Sequence, residues 1–156
     1  AGFAEVGLKW PNDLVFGGRK LGGILIQLRG EAMGPCEAVI GLGLNVRMPA
    51  SSGETVDQPW CDLASIDADV SRLRVLGSVL DASLPGLRQF ERESLPAFAT
   101  RWQALDALRG RPVRVIDGRE TVEGLALGIA DDGALRVQLA EGERRYHGGE
   151  VSVRTE

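Results

Sequence analysis

Lys20 is the residue best placed to do chemistry in this sequence. It follows the turn signal Gly17-Gly18 and precedes the apolar run from Gly22 to Leu28, so its stem can pack while its ammonium reaches a cleft. Upstream, Lys9-Trp10-Pro11-Asn12-Asp13 sets an amide and a carboxylate after a proline that biases Trp10 away from helix. Downstream, Gly41-Leu42-Gly43-Leu44-Asn45-Val46 closes a further apolar run. Gly22, Gly23, Gly41 and Gly43 have no side chains, so a ring or sugar could lie directly on the backbone there. Two lysines, an Asn-Asp pair and four glycines among short apolar runs describe a pocket for an anionic, phosphorylated ligand. Each also has an ordinary reading: a turn lysine at Lys20, an Asx turn at Asn12-Asp13, an edge-strand end at Lys9, close strand packing at the glycines. Asn45 either offers its amide to a polar ligand group or ends a strand in a turn.

The elements that must hold these residues follow from apolar spacing. Up to about residue 48 the chain is expected to form strands joined by glycine turns, with Val6 and Leu8 alternating and Leu14-Val15-Phe16 and Ala38-Val39-Ile40 as short runs. Uninterrupted apolar strands are usually buried on both faces, which implies a helical layer behind the sheet. Residues 48–58 are rich in Pro, Ser and Gly and predict a surface loop. Leu73, Leu76, Leu80, Leu84 and Leu87 predict an amphipathic helix, capped by Asp67 or Asp69 and kinked or broken at Pro85. A second helix is expected near Ser94, with Pro96 in its first turn and Phe98, Trp102 and Leu105 buried. After the linker Arg109-Gly110-Arg111-Pro112 the period becomes two: Val113 and Val115, Leu125 and Leu127, Leu135, Val137 and Leu139, Val151 and Val153. Turn signals at Asp117-Gly118 and Asp132-Gly133 suggest a small barrel. Trp10, Trp60, Trp102 and Tyr146 read as packing residues, and His147, the only histidine, as a surface residue.

Composition narrows the classes. With 44% hydrophobic and 26% charged residues, the chain can bury a core. A net charge of −4 argues against a dominant nucleic-acid surface, which needs clustered cations. Cys36 and Cys61 stand far apart without histidine or cysteine neighbours, so zinc is not expected and a reduced, cytosolic setting is. No apolar run is long enough to span a membrane. The sequence carries no P-loop, no Ser-His-Asp arrangement and no paired-cysteine signature. It enters a strand-like stretch without an initiator methionine and reads as the C-terminal part of a longer protein.

At Lys9-Trp10-Pro11-Asn12-Asp13, Lys20-Leu21-Gly22-Gly23-Ile24-Leu25 and Gly41-Leu42-Gly43-Leu44-Asn45-Val46 the sequence resembles the biotin protein ligases, which adenylate biotin and attach it to a carrier lysine. The tail resembles the small β-domain that closes that family's chains. The family's glycine- and arginine-rich loop, upstream of the tryptophan motif, has no counterpart in these residues. The resemblance implies an α+β fold, biotin/lipoate ligase-like and related to class II aminoacyl-tRNA synthetases. Residues 1–108 would be part of a mixed sheet with helices, and 109–156 a small SH3-like β-barrel. It implies ATP and biotin as substrates, Mg2+, and the carrier domain of a biotin-dependent carboxylase as partner. A cytoplasmic setting follows, with DNA binding only through an upstream helix-turn-helix and room for a homodimer. Lys20 matches the family's ligand-contacting lysine; Gly23, Leu25, Gly41 and Asn45 fall at positions touching biotinyl-adenylate, with Gly22, Asn12 and Lys9 beside them. Asp13 becomes a catalytic residue that either holds magnesium or positions the carrier lysine. Two rivals are a lipoate-type ligase or transferase, which lacks the Trp-Pro-Asn-Asp run, and a non-catalytic carrier-binding remnant. Residues 1–156 alone are expected to be inactive.

Overall fold

Two glycines in the left-handed region start the first sheet. Gly17 and Gly18, with φ of 55° and 75°, make the two-residue turn that only such residues form without strain, and Phe16 and Arg19 pair directly across it. In the computed structural model, which describes residues 5–30, 36–49, 58–118, 120–148 and 151–155, this turn joins β2 (Asp13–Phe16) to β3 (Arg19–Gly30). β3 pairs with β4 (Cys36–Leu44) from Gly22↔Leu44 to Gly30↔Cys36. Both pairings are antiparallel, where a mixed sheet was expected. Short connections cannot return a chain in parallel, which needs a long crossover. Parallel contact among the described residues includes the isolated bridge Lys20↔Trp60.

The chain separates into two compact units. The first holds Ala1–Val6 and Asn12–Val70, the second Gly7–Pro11 and Ser71–Glu156. β1 (Val6–Lys9) runs from one into the other. In the first unit the strands are not buried on both faces as expected: Leu25, Ile26, Leu28, Val39, Ile40 and Leu42 are all exposed. Apolar content records a capacity for burial, not a partner. The described helical residues of this unit amount to one 3-10 turn, Leu63–Ser65. The predicted loop lies mostly outside the described residues.

In the second unit, α1 (Arg72–Glu93) carries the leucine stripe, but its leucines and Phe90 are exposed. Ser71, not Asp67 or Asp69, is the N-cap residue; Asp67 Oδ1 instead accepts from Asp69 N in a local turn before the helix. The helix runs unbroken through Pro85. One lost backbone bond is outweighed by those the flanking turns keep. Pro96 sits in a 3-10 turn (Leu95–Phe98) leading into α2 (Ala99–Leu105), from which Trp102 packs against the core. Phe98 is half-buried, whereas Leu105 is exposed, contrary to the expected stripe, because α2 lasts only seven residues and ends there.

That core is enclosed by β5 (Pro112–Asp117), β6 (Glu120–Ile129), β7 (Leu135–Leu139), β8 (Gly142–Tyr146) and β9 (Val151–Thr155), antiparallel in the order β8-β7-β6-β5-β9. Val113, Val115, Leu135, Val137, Tyr146 and Val153 point inward as the alternation predicts. No pairing that would close a barrel is seen among the described residues. β6 departs from the pattern: Ala126 is buried and Leu125 exposed. A Cβ on Gly124 would stand 2.5 Å from Gln138 O and 2.6 Å from Val137 Cγ1, so only small residues fit inward at this crossing. Trp10 joins the same core, its indole Nε1 donating to Gly133 O at 3.0 Å.

Candidate functional site

A slip in strand register brings Lys20 and Asp13 together. Asp13 pairs with Gly23 and Leu14 with Gly22, but Val15 pairs with Lys20, which leaves Leu21 as an extra residue in β3. Such a bulge resets the in-and-out alternation and re-aims a side chain. Lys20 thereby falls on the side of Asp13, and its Nζ lies 2.6 Å from Asp13 Oδ1. The carboxylate is 15% exposed and the lysine 33%, so the ammonium keeps donors free to turn toward a ligand. Gly23 keeps this pair accessible. A Cβ there would stand 3.2 Å from Asp13 Oδ1 and 3.7 Å from Lys20 Cε.

A shallow cleft of about 420 Å³ opens beside the pair. Asn12, Asp13 and Lys20 form its polar end; Gly23, Ile24, Leu25, Gly41, Leu42 and Gly43 form the rest. Gly23 faces Gly43 and Leu25 faces Gly41 across the strands, so these four share one face of the sheet. Side chains added at Gly41 or Gly43 would meet only backbone oxygens at 3.7 and 3.9 Å, so the glycines leave a flat, open floor. Asn12 fixes the cleft's corner: its carbonyl accepts from Ile24 N at 2.8 Å and its Nδ2 donates to Ile24 O at 2.7 Å.

Behind Lys20 lies a segment to which the sequence assigned no part in the site. Lys20 N donates to Pro59 O and Cys61 N donates to Lys20 O, both at 2.9 Å. Asn45 closes the junction: its Nδ2 donates to Cys61 O at 3.0 Å and to Lys20 O at 3.4 Å. Asp62, 8% exposed, accepts from Met48 N at 2.7 Å and Ser65 N at 2.9 Å. The bond from Met48 N, foremost, holds its carboxyl below the usual carboxylate range. Cys61 is 2% exposed, and burial pushes its thiol up; its Sγ contacts Phe16 O and Arg19 O at 3.9 and 3.8 Å.

Of the residues singled out in the sequence, Lys20, Asp13, Asn12, Gly23, Leu25 and Gly41 come together around the cleft. Gly22 and Asn45 do not line it. Gly22 is buried, and a Cβ on it would collide with the carbonyl oxygen of Gly43, so it serves strand packing. Asn45 Nδ2 donates to the backbone carbonyls of Lys20 and Cys61. Lys9 ends β1 and belongs to the second unit. Ile24 and Leu42 were missed; each sits beside a predicted glycine on a paired strand, a signal that register alone carries. His147 is exposed, as expected. Among the described residues no three His, Cys, Asp or Glu side chains form a metal-ligating group. Asp13 Oδ1 is held by Lys20 Nζ.

Two family models match: biotin/lipoate A/B protein ligase family over residues 3–45, and biotin protein ligase C terminal domain over residues 109–154. The chain is 34% identical over 154 residues to the bifunctional ligase/repressor BirA of Escherichia coli, covering 99% of this chain and 48% of that protein. It is 34% identical over 134 residues to the biotin–[acetyl-CoA-carboxylase] ligase of Mycobacterium tuberculosis, covering 85% of this chain and 47% of that one. Among solved structures, biotin protein ligase from Aquifex aeolicus in complex with biotin and ATP superposes with a TM-score of 0.81 at 26% identity, covering 97% of this chain and 62% of that one. The chain thus spans about half the length of the curated relatives it matches.

Proposed function

The chain belongs to the biotin protein ligase family, and from that premise we propose that its first unit forms part of a site that joins biotin to ATP and then to a protein lysine. The observation that carries this reading is the Asp13–Lys20 pair at the edge of a glycine floor. In the first step the biotin carboxylate attacks the α-phosphorus of ATP, forming the acyl-phosphate bond and expelling pyrophosphate. Two anions must meet. A fixed ammonium at Lys20 offsets their repulsion and stabilises charge in the transition state, while Gly23, Gly41 and Gly43 let flat groups approach the backbone. In the second step the acceptor lysine amine attacks the acyl carbon, forming an amide and releasing AMP. Asp13 is suited to orient that ammonium and take its proton, since an ordinary lysine pKa of about 10.4 leaves little free amine.

Magnesium belongs in this reading with the nucleotide's triphosphate. The partner would be the biotin carrier domain of a carboxylase, met in the cytoplasm. Residues 1–108 would complete a catalytic domain of which 109–156 is the C-terminal domain. DNA contact would need a helix-turn-helix outside this sequence. Biotin-dependent exchange of pyrophosphate into ATP by the intact enzyme, followed by biotin transfer to a carrier domain, tests the proposal. Exchange that does not depend on biotin would overturn it.

A further inference from the structure

We propose that Asp62 is a positioning residue for Lys20, its carboxylate tying the segment behind the lysine to the chain that leaves β4. This rests on the reading of Lys20 given above. Asp62 is the one buried charged side chain among the described residues, and a buried carboxylate persists only where its oxygens are met. Each oxygen here has a partner in a different stretch of chain: Oδ2 accepts from Met48 N at 2.7 Å and Oδ1 from Ser65 N at 2.9 Å. The residues on either side of Asp62 carry the consequence to the site. Cys61 N donates to Lys20 O and Leu63 N to Asn45 O, each at 2.9 Å. Ala64 N donates to Val46 O at 2.9 Å, so the bond from Met48 N is a third link between the same two stretches. Lys20 carries its ammonium on a flexible four-carbon stem, so where that charge sits depends on how firmly its backbone is held. Capping the three-residue 3-10 turn at Leu63–Ser65 takes one acceptor, which serine or asparagine supplies as well as aspartate. The second oxygen, turned on Met48 N, is more than a cap requires.

The test is a double-mutant cycle in the intact enzyme, read by biotin-dependent pyrophosphate exchange well below the unfolding transition. Asp62→Asn keeps an acceptor for Ser65 N but sets an amide NH2, which cannot accept, against Met48 N. It should lower kcat by about 10- to 100-fold, as small misplacements of a catalytic group do, with the KM for ATP nearly unchanged. Combined with Lys20→Ala it should add almost nothing, because two residues acting as one unit are not additive. Asp62→Ser also caps the turn while its single oxygen leaves Met48 N without the link. It should lose kcat to a similar degree, and it covers the case in which the asparagine variant fails to fold. A wild-type kcat in either folded variant would reduce Asp62 to a cap and overturn the proposal. So would a loss of the same factor with and without the lysine. If Lys20→Ala alone left exchange at the wild-type level, the reading of Lys20 itself would fall, an outcome distinct from the other two.

Discussion

Lys20 and Asp13 form a partly exposed ion pair, and such pairs typically contribute about 1 kcal/mol or less to stability. Their conjunction at the cleft therefore points to chemistry rather than to holding the fold. Lys20→Ala is expected to leave the unfolding midpoint within a few degrees of wild type while slowing adenylate formation by about 10²–10³, the usual cost of removing one preorganised electrostatic partner. Pyrophosphate exchange alongside thermal unfolding measures both. Asp13→Asn keeps the shape and removes the charge. Single-turnover transfer from preformed biotinyl-adenylate should then slow by about 10²-fold or more, within the range of general-base effects, and a wild-type transfer rate would remove the acceptor-lysine role. Gly23→Ala adds a methyl 3.2 Å from Asp13 Oδ1, in the space through which a ligand reaches the pair. It should weaken adenylate binding with the fold retained, as calorimetry on the folded variant would record.

Strands and their junctions decide whether those residues meet. The crossing of β6 over β7 leaves no room at Gly124, where a Cβ would also stand 2.8 Å from Leu139 Cδ2. Gly124→Ala should destabilise the second unit by about 1–3 kcal/mol, as overpacking does, visible as a lower denaturant midpoint. In the first unit, Asp62 anchors the junction beside Lys20 through Met48 N and Ser65 N. These bonds depress its folded pKa below its unfolded value, so the ionised form stabilises the native state. That contribution is complete above the ordinary aspartate value of about 3.9 and disappears as pH falls through the lower folded value. Asp62→Ala should accordingly unfold at a lower temperature than wild type near neutrality, with the gap closing below about pH 4. A gap that stayed constant with pH would assign the loss to packing instead of charge.

Taken as a whole, the first unit offers an open cleft whose floor is only partly covered: Leu25 is 63% exposed and Leu42 40%. A ligand lying there keeps one side in water, and residues 1–156 alone should bind biotinyl-adenylate at least about tenfold more weakly than the intact enzyme, a difference of roughly 1.4 kcal/mol. Equal affinity in calorimetry would mean that the cleft is complete without further chain. Local pattern was enough to place much of this architecture. The Gly17-Gly18 hairpin, the helical spacing of the leucines and the two-residue period beyond Arg111 follow from short-range rules of turn geometry and periodicity, while the grouping of Lys20, Asp13, Gly23, Leu25 and Gly41 comes from the resemblance of their motifs to the biotin protein ligases. What local pattern could not supply was register and partnership. The bulge at Leu21 that turns Lys20 toward Asp13, the inward place of Ala126 instead of Leu125, and the brace from Asn45 to Lys20 and Cys61 each depend on which backbone groups of distant segments happen to face one another. A side chain's type fixes what bonds it can make; only the folded chain fixes which of those bonds find a partner within about 3 Å.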